Sequence, residues 1–165
     1  MISKVVSELR VESATIDDLP ELADLLDDLF SKEADFVPNR EKQLRGLRLI
    51  LEQPARGRIF VLRGPTGIFG MINLLITIST AEGGFVLLLE DLVIQRDHRS
   101  QGYGTMLLNH AIEFAKNKNF LRITLLTDRP DEGVKRFYIR HGFVESGMVP
   151  MRMYFHQHAH CETAR

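Results

Sequence analysis

Apolar residues recur at two spacings along the 165-residue chain, and the switches between them mark out its elements. Leu9–Ser13 alternates as a short strand. Thr15-Ile16-Asp17-Asp18 then offers a capping threonine and early acids before Leu22, Leu25, Leu26 and Leu29 take up helical spacing. A second helix follows Pro38, with Leu44, Leu47 and Leu51 along one side. Arg58–Arg63 and Ile68–Ser79 read as strands joined by Gly64-Pro65-Thr66-Gly67, whose proline and glycines suit a turn. Ala81–Gly84 turns the chain into Phe85–Gln95, which is apolar on both faces and so predicts a central strand covered from both sides. Gly102 and Gly104 open a helical pattern through Met106, Leu107, Ala111, Ile112, Phe114 and Ala115 that ends around Asn117–Asn119. Leu121–Thr127 predicts another strand, Asp131–His141 a short helix stopped by Gly142, and Phe143–Ser146 with Met151–His156 a closing antiparallel pair.

This order of helices and hairpins predicts an α+β or mixed α/β fold around one sheet. No repeat, low-complexity tract or long linker divides the chain, so one domain is expected over residues 1–165, with a core at about 9–156 and a flexible tail at 157–165. Composition adds exclusions. The 21 Lys+Arg nearly balance the 22 Asp+Glu, which argues against a nucleic-acid binder. That balance hides two opposed halves: Met1–Gln95 carries −5 and Arg96–His141 carries +4. A single cysteine, Cys161, rules out an intramolecular disulfide and fits a reducing compartment. Apolar runs fall short of the roughly 20 residues that span a bilayer, and Met1–Arg10 has no continuous apolar region of a leader, so a cytoplasmic protein without membrane contact is expected.

The chemistry concentrates in Leu89–Thr105, where an apolar strand runs into Arg99, then Gly102-Tyr103-Gly104, then a helix. Unpaired N–H groups in the first helical turn form an anion site, and glycines let backbone approach phosphate oxygens. A dinucleotide fingerprint would need Gly or Ala where Leu107 stands, and the Walker pattern is absent.

Arg-x-x-Gly-x-Gly at Arg99–Gly104, between this strand and this helix, resembles the acetyl-CoA pyrophosphate loop of the GNAT N-acetyltransferase superfamily. Phe137-Tyr138-Ile139-Arg140-His141-Gly142-Phe143 is similar to that family's Phe-Tyr…Gly-Phe signature. Leu9–Leu26, with Arg10, Ala14, Thr15, Asp18, Leu19 and Leu22, is similar to its first strand and helix. The resemblance covers roughly residues 9–156 and implies a mixed sheet of six to seven strands, about four flanking helices, and a splayed central strand pair holding CoA. It implies that pantetheine lies against the backbone of Val93 and Ile94, and that Arg99, Ser100, Gln101, Gly102, Tyr103, Gly104 and Thr105 wrap the pyrophosphate. Ser100 stands where the family usually has glycine. Asp131 stands where it often has a cofactor-contacting asparagine; here it can also cap the helix that follows. Family members commonly pair through late strands, so Phe143–His156 would serve a homodimer.

The implied activity is transfer of an acetyl group from acetyl-CoA to a primary amine of a small molecule or peptide, by direct attack in a ternary complex. It poses two proton problems, since an amine with a pKa near 10 must lose a proton to attack and the departing thiolate gains from receiving one. Tyr138 matches the family's acid. Glu90 interrupts the apolar strand four residues before Ile94 and is the candidate base; an internal ion pair with an arginine would instead leave that task to water. His98 and His110 are weaker candidates for proton transfer, the second expected on an exposed helix face. His156, His158, His160 and Cys161 sit in a terminal tail, not a fixed shell, so no metal is expected. Between Asp17 and Val37 eight acids face one base, Lys32, which suits a cationic acceptor such as a polyamine, aminoglycoside or lysine-rich peptide, or else a solvated helix face. A non-catalytic acetyl-CoA-binding sensor or subunit, and an acyltransferase using another acyl-CoA, remain as alternatives.

Overall fold

The alternating runs pair in the order in which they occur. The computed structural model describes residues 9–33, 35–128 and 131–155. In it β1 (Arg10–Ser13), β2 (Gly57–Gly64), β3 (Gly67–Ser79), β4 (Gly84–Ile94) and β5 (Ile123–Leu125) form one mixed sheet in the order β1-β2-β3-β4-β5. The first four strands pair antiparallel, and β5 joins β4 in parallel. A parallel partner needs a crossover, which α3 (Tyr103–Asn117) supplies. Two helices, α1 (Leu19–Phe30) and α2 (Arg40–Leu51), are inserted between β1 and β2. Contacts divide the chain into two compact units, Met1–Asp128 and Arg129–Arg165. The second contains α4 (Glu132–Arg140) and is described by itself.

Strand alternation sends β2 side chains into two cores. Ile59 and Val61 join Met71, Val93 and the α1 residues Leu19, Leu22, Leu25 and Leu26, with Leu47 of α2 completing this layer. Phe60 turns the other way and meets Phe114 of α3 edge to face at 5.1 Å, beside the buried Leu107, Leu108, Ala111 and Ala115. Leu22 is fully buried, a position at which truncation to Ala typically costs about 2–5 kcal/mol. The helix starts follow the expected chemistry. Thr15 donates its N–H to the Asp18 carboxylate in the 3-10 turn before α1, Pro20 occupies the first turn of α1, and the Asn39 side chain caps α2 by accepting from Lys42 N.

The feature that shapes the site is a change of register. Asn73 of β3 faces Asp91 of β4, but the next β3 residue, Leu74, faces Leu89, so Glu90 is the extra residue of a β-bulge. On its other side β4 pairs with β5 only through Leu87, Leu88 and Leu89. From Glu90 to Ile94 the strand runs on without β5, giving the splayed pair that the family resemblance implies.

Two expectations change. Five strands are present among the described residues, where six to seven are expected: Phe143–Ser146 and residues 151–155 run without a backbone ladder, with Val144, Met151, Met153 and Phe155 exposed, and His156 lies outside the described residues. Apolar alternation makes a strand only where a second backbone is in register to accept it. Likewise, the expected strand Leu121–Thr127 is in ladder register only over Ile123–Leu125, with Leu121 N donating to Phe85 O and Arg122 O accepting from Leu87 N just before it. Among the described residues no helix is long and apolar enough to cross a membrane.

Gly70 sits where β3, β4 and α3 converge. A Cβ there would lie 2.5 Å from Ile94 Cδ1, 2.8 Å from the Val93 carbonyl oxygen and 3.2 Å from Leu107 Cδ1. Gly70→Val is therefore expected to destabilise the protein by about 1–3 kcal/mol through overpacking, measured by denaturant unfolding. An unchanged midpoint would show that this junction is looser than described.

Candidate functional site

Beyond the bulge, β4 has one hydrogen-bonded side and one open side. Gln95 N donates to Phe69 O at 2.7 Å, so strand alternation turns the backbone groups of Asp91, Val93 and Gln95 toward β3. Those of Leu92 and Ile94 point away from it. The Ile94 carbonyl confirms this, because it accepts from Arg99 Nε at 2.9 Å and not from β3. Of the two backbone positions expected to meet pantetheine, Ile94 faces the open side and Val93 faces Met71. Leu92 is the additional open-side residue, and the parity that reveals it depends on the bulge.

The strand then passes through a 3-10 turn, Arg96–His98, into the glycine loop. Ser100 has φ +60° and Gly102 φ +81°, both left-handed. Ser100 is thus held in the conformation that glycine adopts without strain, a physical reason for glycine being usual at this place. Gln101 Nε2 donates to Asp97 O at 3.4 Å, and the His98 ring stacks on Phe69 at 3.7 Å, so the loop is braced against β3. Within α3, Gly102 O accepts from Met106 N. The N–H groups of Tyr103, Gly104 and Thr105 therefore precede the first intrahelical bond, and the first turn carries no acid.

Arg99 is more constrained than its motif position suggests. Besides the Ile94 carbonyl it bonds Asp28 of α1, which also accepts from Arg96 at 3.0 Å. Burial pushes the Asp28 carboxyl up, but the Arg96 hydrogen bond and the charges of Arg99, Lys32 and Arg96 outweigh it and hold the group below the usual carboxylate range. Other acids at the start of α1 and along it are similarly engaged: Asp18 with Arg63, Glu21 with the N–H of Ile68, and Asp24 and Asp27 with Arg40. Much of the negative wall read from the sequence serves the fold internally.

A second group of acids gathers where β4 leaves β5. Asp91 is buried and accepts from Asn73 Nδ2 at 2.8 Å; burial, then the neighbouring Glu90, raise it to about 6 against the opposing hydrogen bond. Asn73 Oδ1 is itself buried with no hydrogen-bond partner among the described residues. Glu90, the bulge residue, is exposed. Glu33, just after α1, is raised to about 7 by desolvation and then by the charges of Asp91, Asp128, Glu90 and Asp35. Sequence reasoning counts Glu33 only as one of the eight acids between Asp17 and Val37 and misses Asn73, since neither lies in a motif. Further along the same strands a groove of about 670 Å³ opens between Leu49, Ile50 and Arg56 and the sheet residues Leu75 and Leu88.

In the second unit Asp131 Oδ1 accepts from Val134 N at 2.9 Å and caps α4. Tyr138 of α4 lies edge to face with Phe137 at 5.1 Å and Phe143 at 5.5 Å. His110, expected on an exposed helix face, instead packs 4.5 Å from Phe60, and burial lowers its pKa. No metal-ligand cluster occurs among the described residues, and His156, His158, His160 and Cys161 lie outside them.

Comparison with known proteins bears on this geometry. A profile of the acetyltransferase (GNAT) family matches residues 19–143. Streptothricin acetyltransferase A of Bacillus subtilis is 37% identical over 67 residues, which are 41% of this chain. The chain spans 38% of that relative's length. An integron cassette protein from the mobile metagenome of Cole Harbour Salt Marsh superposes with a TM-score of 0.76 at 25% identity, over 89% of this chain and 91% of its own. An aminoglycoside acetyltransferase from an uncultured soil metagenomic sample, solved with sisomicin, shares the fold with a TM-score of 0.71 at 20% identity, over 90% and 97%.

The raised Asp91 sets a pH signature. Its carboxyl titrates at about 6 in the folded chain and near 3.8 otherwise, so between those values the folded state holds a proton that the unfolded state has lost. Stability from this group falls as pH rises through that window and stays lowered above it. Asp91→Asn should therefore match the wild type at pH 4 and exceed it by about 2 kcal/mol at pH 8, measured by urea unfolding. An equal difference at both pH values would contradict the burial of an ionising Asp91.

Proposed function

The chain belongs to the acetyltransferase (GNAT) family, and on that premise we propose that it transfers an acetyl group from acetyl-CoA to a primary amine while both are bound. The observation that carries this reading is the open edge of β4 leading through one 3-10 turn into a left-handed loop and an acid-free helix start. These parts suit the two chemistries of CoA. Leu92 and Ile94 offer amide groups to a pantetheine chain, and the N–H groups of Ser100 to Thr105 offer donors to a pyrophosphate, favoured by the α3 dipole. Bound acetyl-CoA would supply the activated thioester.

The chain's own residues then manage protons and position. The carboxylates of Glu33, Glu90 and Asp91, with Asn73 Oδ1 as an unused acceptor, suit an ammonium group brought to the mouth of the splay. A base works best when its pKa lies near the working pH, so Glu33 is well matched to take the amine proton and Glu90 to orient the acceptor. Tyr138, by its place in the family signature, would donate to the sulfur. The names of the relatives direct the acceptor search toward streptothricin and aminoglycosides.

Thiol release measured over a panel of streptothricin, sisomicin, polyamines and a lysine peptide tests the reading. One or more amines should give turnover, and Tyr138→Phe should lower kcat by about 100-fold with acetyl-CoA affinity within two-fold. The rate should rise with pH through about 7 as Glu33 loses its proton, and Glu33→Gln should abolish that limb. Acetyl-CoA binding without release for any amine would replace the enzyme by a sensor; no binding would reject the reading.

A further inference from the structure

The pairing of Asp28 with Arg96 and Arg99 joins two parts of the fold that different substrates would use. Arg99 stands at the start of the glycine loop, yet its Nε donates to the Ile94 carbonyl and its Nη2 to Asp28. Nε and Nη2 form one edge of the guanidinium, the edge that would otherwise grip two phosphate oxygens side by side. That edge is occupied by the end of β4 and by α1. Asp28 is mostly shielded, with 21% of its side chain exposed, and takes Arg96 through its other oxygen at 3.0 Å, with Lys32 Nζ at 3.6 Å. Three cations thus converge on one carboxylate.

We propose that Asp28 is a positioning residue for the acetyl-CoA loop: it holds Arg99 as a strut between α1 and the Ile94 carbonyl, and so fixes the left-handed turn whose backbone amides meet the pyrophosphate. The proposal rests on the acetyl-CoA reading above, and it moves Arg99 from phosphate ligand to scaffold. The loop needs such a strut. Ser100 occupies a left-handed conformation without being glycine, and an arginine without its partner regains side-chain freedom and releases the loop. Ile94 is also the last open-side carbonyl of β4, so the same strut determines where the strand ends and the loop begins.

Calorimetric titration with acetyl-CoA, together with steady-state kinetics, separates the outcomes. For Asp28→Asn the dissociation constant and KM for acetyl-CoA should rise about ten-fold, with kcat and the amine KM within two-fold, and Asp28→Glu should recover most of the affinity. Arg96→Ala, whose side chain is 72% exposed, should change acetyl-CoA binding less than three-fold. Unfolding curves confirm that each variant is folded at the assay temperature. Unchanged acetyl-CoA binding in Asp28→Asn would overturn the proposal while leaving the acetyl-CoA reading intact. So would a rise confined to the amine KM, which would make Asp28 part of the acceptor wall. If the wild type itself fails to bind acetyl-CoA, the earlier reading falls and the proposal with it.

Discussion

One extra residue in a ladder governs what this sheet can hold. At Glu90 the register between β3 and β4 slips, and one residue earlier the pairing of β4 with β5 ends. The slip changes parity: Leu87 faces β5 and donates to Arg122 O, whereas past the bulge it is Leu92 and Ile94 that face that side. Backbone groups on an open inner edge are costly to leave without a partner. A chain that keeps such an edge in its interior is suited to fill it with another extended molecule.

The surrounding structure follows from that opening. Gly70 allows α3 to approach the end of β4 closely, which brings the helix N-terminus to the end of the open edge. The stacking of His98 on Phe69 and the strut from Asp28 through Arg99 to Ile94 both brace the connecting loop. Around the bulge the acids collect, and desolvation followed by their mutual repulsion raises Glu33 and Asp91. The positive and negative halves of the sequence are thereby resolved into local roles. Several of the acids neutralise arginines within the fold, and a smaller group is left at the mouth of the splay with perturbed protonation.

Much of this was legible from spacing alone. The leucines of α1, the hairpin of β2 and β3, the two-sided apolar run of β4 and the Gly-x-Gly start of α3 each carry their pattern within a few residues. Arg99–Gly104 was readable because its chemistry is local: the amides that would meet phosphate belong to the motif itself. Glu33 was not, since its raised pKa comes first from burial in the folded chain and then from Asp91, Asp128 and Glu90, residues distant in the chain. Asp28 looked like one acid among eight; only its pairing with Arg99, 71 positions away, distinguishes it. Leu92 was hidden because a one-residue bulge reverses which groups face outward. The last apolar alternation, from Phe143 onward, misled for the opposite reason: a strand pattern was present without a ladder to receive it.

The central claim is that the open edge of β4 and the first turn of α3 together bind acetyl-CoA. The most direct measurement is backbone amide hydrogen exchange, residue by residue, with and without acetyl-CoA. The account predicts slowed exchange at Leu92 and Ile94 and across Gly102 to Thr105, with little change in β1 and β2. Protection that spares these amides, or that appears instead around α2, would contradict it.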